Sequence, residues 1–358
     1  MRVKSLTINN LRNILSAQIE LNPCLNYFSG NNGAGKTSVL EALAVLSKGR
    51  SFRTGQILSV IGPDSKSFQV LTNIESQSGV PHQLGMKRGA DYWSARHNGE
   101  NVQQLSELSR LLPYVLLEPN SHTLVSGPPD TRRRYLDWGV FHVEPGFLTL
   151  WRRYNRVLKQ RNAALKQSNS LVVGSLDPQF ISLGEQLHQA REQQTRKLDQ
   201  ILQEKLKSYS QILEGVQLKY RKGWTGESLA EATRHSLSRD MEKGLTIPGP
   251  HKADLYLAID GTPAKERLSR GEKKTLTAAL IMSQAQLICE SGEKPVLLLD
   301  DLSSELDEEH VEKVLNAGLE LGAQIWVTGT QLSPVMERCE TGYSLFHVEH
   351  GAISASGV

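Results

Sequence analysis

Cysteine is scarce in this 358-residue chain: Cys24, Cys289 and Cys339 stand far apart, and no C-x-x-C pair occurs. That argues against a disulfide framework and a zinc site, and it fits a reduced, cytoplasmic compartment. Long apolar runs are missing too. None approaches the roughly 18 residues of a membrane span, so no membrane partner is expected. The first residues, MRVKSLTINN, lack the apolar core of a signal peptide. There is no sustained internal repeat and no low-complexity tract. An excess of one charge sign is also lacking overall, with a formal net charge of only +3.

That small net charge hides an asymmetry. Residues 131–223 carry 17 Lys and Arg against 8 Asp and Glu, and the rest of the chain is acidic. A basic middle within an acidic frame points to a polyanionic partner. A solvated Lys/Arg-rich helical surface would leave the same trace.

The length implies two or three lobes. The chain opens on strands over Val3–Ile8, Ala17–Leu21 and Leu25–Ser29, followed by a glycine-rich loop and a helix ending near Lys48-Gly49. Residues 55–117 read as mixed, with strands near Phe68–Ile74 and Val115–Leu117. From about Thr131 the apolar period becomes helical, as at Phe147, Leu150, Trp151, Tyr154, Val157 and Leu158. A Ser/Asn/Gly/Pro linker is expected over Ser168–Pro178, then a second helical run from Phe180 to Leu213. Together they predict an antiparallel helical pair. Beyond Gly223 the pattern returns to mixed α/β. Val296–Leu299 and Gln324–Val327 read as strands buried on both faces, and Tyr343–Val348 followed by Gly351 as a closing hairpin. The expected architecture is an α/β frame, residues 1–125 and 224–358, split by a basic helical insertion over 126–223.

The stretch GNNGAGKT, Gly30-Asn31-Asn32-Gly33-Ala34-Gly35-Lys36-Thr37, matches G-x-x-x-x-G-K-[ST] between a predicted strand and a predicted helix. Its glycines allow backbone N–H groups to face phosphate oxygens. Lys36 is placed to reach the outer phosphates, the Thr37 hydroxyl to ligate Mg²⁺, and Ser38 follows in the same turn. ATP with Mg²⁺ is the expected ligand.

The second half of such a site is an acid at the end of an apolar strand. VLLLDDLSSELDEEH supplies Asp300 for the Mg²⁺ and Asp301 to polarise an attacking water. An aspartate reaches less far than a glutamate, so slow hydrolysis is expected. Asp301 as a helix cap is the alternative.

A third element is harder to place. LSRGE, Leu268 to Glu272, puts one glycine directly before a helical run. A helix start is an anion seat, yet this one has no lysine or metal ligands of its own. It reads as half of a site that another molecule completes.

These three elements, in this order, resemble the ABC-type ATPases, and among them the heads of SMC-like proteins. TINNLRN, KGRSFRT, GPPDTRRRYLDWGVFHVEPGF, GPHKADL and LLLDDLSSELD narrow the resemblance to the RecF family over nearly the whole chain. That resemblance implies a P-loop ATPase head with a mixed sheet and flanking helices, plus a helical lobe. It implies an ATP-dependent homodimer in which Ser269 and Gly271 face the γ-phosphate held by a second subunit. It further implies weak, DNA-stimulated ATPase activity acting as a switch, with no chemistry on DNA. Expected partners are double-stranded or gapped DNA, RecR and RecO, and functionally RecA; the expected setting is recombinational repair, replication-fork maintenance and SOS induction. By family position Arg12 would lie near the nucleotide phosphates and Asp307 would face the dimer partner. Arg270 and Glu272 depart from the common L-S-G-G-Q pattern, and Thr328-Gly329-Thr330 stands where many relatives carry a switch histidine. The sequence does not place the family's glutamine loop.

Candidate contacts to DNA are Arg132, Arg133 and Arg134, then Arg152, Arg153, Arg156, Lys159 and Arg161 on the helical surface. They suit backbone phosphates, and no base-reading motif accompanies them. Two other readings stay open: the ATPase subunit of a transporter, and a P-loop enzyme phosphorylating a small molecule. The latter has no use for the Ser269 loop.

Overall fold

The structure is a computed structural model that describes residues 1–330 and 342–356. Cys339 lies outside the described residues; Cys24 and Cys289 are free thiols. The chain divides into two compact units, residues 1–121 with 280–358, and residues 122–279.

The first unit is built on two six-stranded sheets. In one, β1 (Arg2–Leu11) and β2 (Ile14–Glu20) form a hairpin with Arg12-Asn13 at its turn. It continues through β4 (Ser67–Glu75), β5 (Pro81–Gly89), β6 (Trp93–His97) and β7 (Glu100–Asn101), antiparallel in the order β2-β1-β4-β5-β6-β7. The other has the order β15-β14-β3-β13-β12-β8. Here β3 (Leu25–Ser29), β8 (Tyr114–Leu117), β12 (Val296–Leu299), β13 (Gln324–Gly329) and β14 (Tyr343–Glu349) run parallel, and β15 (Ala352–Ser356) closes the edge antiparallel.

The near-continuous apolar runs of β3, β12 and β13 have this cause: both faces are covered. Helix α1 (Lys36–Lys48) packs against β1, β4 and β13, and all of it but Thr37 and Lys48 is buried. It ends at Gly49, whose left-handed backbone returns its N–H to the Val45 carbonyl. One core joins both sheets, with Leu6 and Ile8 of β1, Val39 and Leu43 of α1, and Phe28 and Trp326 of the parallel sheet. Around it lie α2 (Leu105–Leu111), α10 (Leu302–Glu305) and α11 (Glu308–Glu320).

The second unit contains α3 (Thr123–Ser126), α4 (Pro129–Val143), α5 (Phe147–Lys166), α6 (Ser170–Tyr209), α7 (Leu229–Lys243) and α8 (Ala264–Arg267). It adds a three-stranded antiparallel sheet of β9 (Val216–Arg221), β10 (Asp254–Ile259) and β11 (Thr262–Pro263). Helix α9 (Arg270–Glu290) begins in this unit. Phe147, Tyr154 and Val157 of α5 pack with Phe180, Leu183 and Leu187 of α6, the apolar positions that mark the helical pair in the sequence.

Three sequence expectations change here. The linker over Ser168–Pro178 is instead a tight turn: α6 starts at Ser170, capped by the Asn169 side chain accepting from the Val172 N–H, and passes through Pro178. Proline forfeits one helical hydrogen bond, but burial of Val173 and Phe180 on either side offsets that loss. The second helical run ends at Tyr209 rather than Leu213. And the second unit does not stop at Gly223. It runs to Ala279, because among the described residues β9 pairs only with β10, and α7 packs on α5 and α6.

Candidate functional site

Parallel strands leave their loops at one end, and the crevice beyond their carboxyl ends is where α/β sheets bind ligands. β13 lies between β3 and β12, so the loop after β3, the acid after β12 and the last residues of β13 meet there. The phosphate loop runs from Gly30 to Lys36. A Cβ at Gly30 would sit 2.2 Å from the Val348 carbonyl oxygen, and Gly33 and Gly35 have φ of 80° and 119°, so each glycine answers a separate steric demand. Lys36 Nζ donates to the Gly30 and Asn31 carbonyls at 2.7 and 3.0 Å. Asn32, Gly33, Gly35, Lys36, Thr37 and Ser38 line a cavity of about 510 Å³ together with Arg12, Asn13, Arg53, Asp301 and Thr328. Ala34 is buried beneath them, its carbonyl accepting the Gly351 N–H.

The acids and hydroxyls form one network. Thr37 Oγ1 donates to Asp300 Oδ1 at 2.8 Å, and Thr328 Oγ1 donates to the same oxygen at 2.7 Å. The Asp301 N–H in turn donates to Thr328 Oγ1 at 2.8 Å. Asp300 is 5% exposed. Burial raises its carboxyl above the ordinary range, and the Thr328 and Thr37 hydroxyls pull it back. A buried carboxylate beside a threonine hydroxyl is an oxygen donor set that suits a hard cation such as Mg²⁺. Asp301 holds a left-handed backbone (φ 51°, ψ 46°) at the N-terminal position of α10, but its side chain makes no capping bond. It faces the cavity instead.

Arg12 lines the cavity, but its guanidinium is already engaged. Nε and Nη2 donate to the two oxygens of the fully buried Glu41 at 2.9 and 2.8 Å, and Nη1 to the Ser59 carbonyl at 2.7 Å. The pair raises the Arg12 pKa further.

Sequence reasoning missed Asn13, Arg53 and Glu118 here, and it named Thr328 only as part of the stretch where many relatives carry a histidine. Asn13 Nδ2 donates to the Gly33 and Ala34 carbonyls, and Asn13 Oδ1 accepts from Ser38, so the β1–β2 turn braces the phosphate loop. Arg53 brings a second guanidinium to the cavity; its only sequence signal was KGRSFRT. Thr328 supplies a hydroxyl that links both acids. Glu118 follows β8 directly, beside the end of β12. Burial pushes its carboxyl up to about 7, Asp300 and Glu41 add to that, and Arg53 opposes it. A Glu-Pro pair directly after an apolar strand was the available clue.

Asp307 caps α11: its Oδ1 accepts the His310 N–H at 2.9 Å and both oxygens contact His310 Nδ1, which holds the carboxyl below its usual range.

The LSRGE loop belongs to the second unit. The Ser269 N–H donates to Glu272 Oε2 at 2.7 Å, and the Glu272 N–H donates to Ser269 Oγ at 3.3 Å. This is a capping box, which needs Glu or Gln three residues after Ser. Glu272 therefore fills a capping position that glutamine would also satisfy, and the cap lowers its pKa. Gly271 has neither a positive φ nor any neighbour within 4 Å of a built Cβ. Nothing among the described residues of this chain requires glycine there.

The candidate DNA residues separate into three groups. Arg132 is 9% exposed, clamped bidentately on Asp254 at 2.7 and 3.1 Å and on the Gly127 carbonyl. Arg161 is fully buried among Asp177, Asp240 and Thr246. Both are corrections, since a guanidinium held this way is not presented to a phosphate. Arg133 donates to the Ala253 carbonyl, and Arg134 pairs with Asp130 at the surface. Arg152, Arg153, Arg156 and Lys159 are exposed along α5.

The family described as RecF/RecN/SMC N-terminal domain matches residues 2–354. The DNA replication and repair protein RecF of Thioalkalivibrio sulfidiphilus (strain HL-EbGR7) is 39% identical over 357 residues, covering 99% of both chains. The protein of that name from Xanthomonas axonopodis pv. citri (strain 306) is 38% identical over 99% of this chain and 98% of its own. Among solved structures, the recombination mediator protein RecF-ATP of the RecFOR pathway matches with a TM-score of 0.88 at 25% identity, covering 99% of this chain and 98% of that one. An Smc head bound to the C-winged helix domain of ScpA shares the fold at TM-score 0.59 and 14% identity, over 100% of this chain and 98% of that one.

Proposed function

The chain belongs to the RecF family of P-loop ATPase heads, and we propose that it is an ATP-dependent DNA-binding protein of replication and recombinational repair. ATP binds at Gly30–Thr37 in one subunit, and Ser269 and Gly271 of a second subunit close on its γ-phosphate. The dimer so formed clamps double-stranded or gapped DNA. Partners with the roles of RecR and RecO act with it to place RecA.

The observation that carries this reading is the pairing of a complete phosphate site with an incomplete one. The first has a lysine held on the loop's own carbonyls and, beside it, two threonine hydroxyls hydrogen-bonded to Asp300, with the Asp301 N–H on one of them. The second is a capped helix start whose Arg270 and Gly271 N–H groups have no intrahelical acceptor, with a glycine that none of the described residues of its own chain requires. A phosphate arriving from outside gives that glycine a purpose.

Thr37 and Asp300 would hold Mg²⁺, whose charge would offset that of the outer phosphates. Asn13 keeps the loop curled. Lys36 leaves its two carbonyls for the phosphates. Asp301, its backbone fixed through Thr328, orients the attacking water and accepts its proton. An aspartate's shorter reach makes this slow, as suits a switch. The exposed cations of α5 supply sequence-independent phosphate contacts.

The test is ATP turnover with and without double-stranded DNA at several salt concentrations. Stimulation that fades as salt rises is expected. Turnover indifferent to DNA at low salt would overturn the reading.

A further inference from the structure

The second unit holds a cleft of about 920 Å³ that uses none of the ATPase elements. Its walls are the end of β9 with the loop 222–226, one face of α7, and residues 247–254. The polar lining is dominated by donors. Arg221, Lys222, Arg239 and Lys252 bring four fixed positive charges, and His235 a titratable one. Of the two acids in the lining, Asp254 has both oxygens bound by Arg132, which leaves Glu231 against four cations. Among the described residues, Arg221, Arg239 and Lys252 form no ion pair. Trp224, 9% exposed at the same wall, keeps an indole N–H without an acceptor among the described residues.

This cleft is also rigid. A Cβ at Gly223 would lie 2.3 Å from the Gly249 carbonyl oxygen, so loop and opposite wall touch as backbones. Lys222 Nζ ties the loop shut on the Gly226 and Glu227 carbonyls at 2.6 and 3.2 Å, and the Arg221 guanidinium rests on the Tyr256 ring at 3.4 Å. Like charges gathered at a fixed site lose little on ordering when a counter-charge arrives. The charge of the units agrees: residues 122–279 carry 26 Lys and Arg against 17 Asp and Glu, and the remainder 15 against 21.

We propose that this cleft is a phosphate-binding site separate from the ATP site, taking the backbone phosphates of a nucleic-acid single strand or the phosphates of a free nucleotide. Donors converge from three walls. A tetrahedral phosphate offers acceptor oxygens in several directions, whereas a carboxylate offers two in one plane. The volume is that of a pocket for one small ligand or a short stretch of strand.

The test uses full-length Lys36→Ala protein, so that the ATP loop contributes nothing, and a short fluorescein-labelled oligo(dT) as probe. Arg239→Ala with Lys252→Ala, both exposed, should leave the melting curve unchanged and weaken oligo(dT) about tenfold. It should also flatten the salt dependence of log affinity by about 1.4, since each single-strand phosphate contact is worth about 0.7. Tripolyphosphate that displaces the probe and loses affinity in the same variant identifies free phosphates as a ligand. Variant-sensitive oligo(dT) binding without such displacement identifies the strand backbone. Unchanged probe affinity and salt slope would overturn the site, as would poly-glutamate competing as well as tripolyphosphate. In the parent background, ATP-dependent duplex binding is scored separately, so failure of the cleft leaves the clamp reading standing.

Discussion

At the scale of single residues, the same amino acid carries opposite roles according to what surrounds it. Arg132 and Arg156 both belong to the basic middle, but one is clamped on Asp254 and the other is exposed. Arg132→Ala strands a partly buried carboxylate, a loss of about 3 kcal/mol, readable by denaturant unfolding. Arg156→Ala should leave stability alone and flatten the salt dependence of duplex binding by about 0.9. The reverse pattern would mean that the buried pair is dispensable. Glu272 gives a subtler case. Glutamine serves a capping box as well as glutamate, so Glu272→Gln should change stability by less than about 0.5 kcal/mol, whereas Glu272→Ala should cost about 1 kcal/mol. Thermal unfolding of the two variants side by side decides it. The sequence displayed Lys36, Thr37 and Asp300 because their chemistry is tied to spacing along the chain. It concealed the roles of Asn13 and Thr328, which depend on which strands become neighbours.

At the scale of elements, buried polar contacts fix where loops meet helices. His251, in GPHKADL, contacts the Tyr154 hydroxyl through Nδ1 at 2.8 Å and the Thr246 carbonyl through Nε2 at 3.0 Å. Burial pushes its pKa down to about 4 from an ordinary 6.5. The fold thus prefers the neutral ring, and this contribution is fully present above about pH 6.5 and lost as pH falls toward 4. Between pH 8 and 5 the second unit should lose about 2 kcal/mol through this residue. An NMR titration placing His251 near its ordinary value would contradict this. Elements were legible where period and flanks agreed, as at the loop–α1 junction and the doubly buried β12 and β13. They were misread where a local breaker was outweighed by packing, as at Pro178, and the β5–β6 hairpin gave no clear alternation to read.

At the scale of the whole molecule, the expected α/β frame with a basic helical insertion holds in outline. Its boundary moved because β9–β11 pair among themselves, a long-range fact that composition does not carry. The charge asymmetry survives that shift, and the second unit remains the basic one. On the proposed reading, the LSRGE loop is completed by a phosphate from a second subunit. Ser269→Arg should therefore abolish ATP-driven assembly while ATP affinity stays unchanged, a split that a single-subunit P-loop enzyme would not show. The most direct measurement is the solution mass of the Asp301→Asn protein, which on the proposed role of Asp301 should bind ATP without turning it over. The account predicts a monomer without nucleotide, a dimer with ATP and Mg²⁺, and a monomer again when Ser269→Arg is added. A monomer at saturating ATP, or a dimer indifferent to both nucleotide and Ser269, would contradict it.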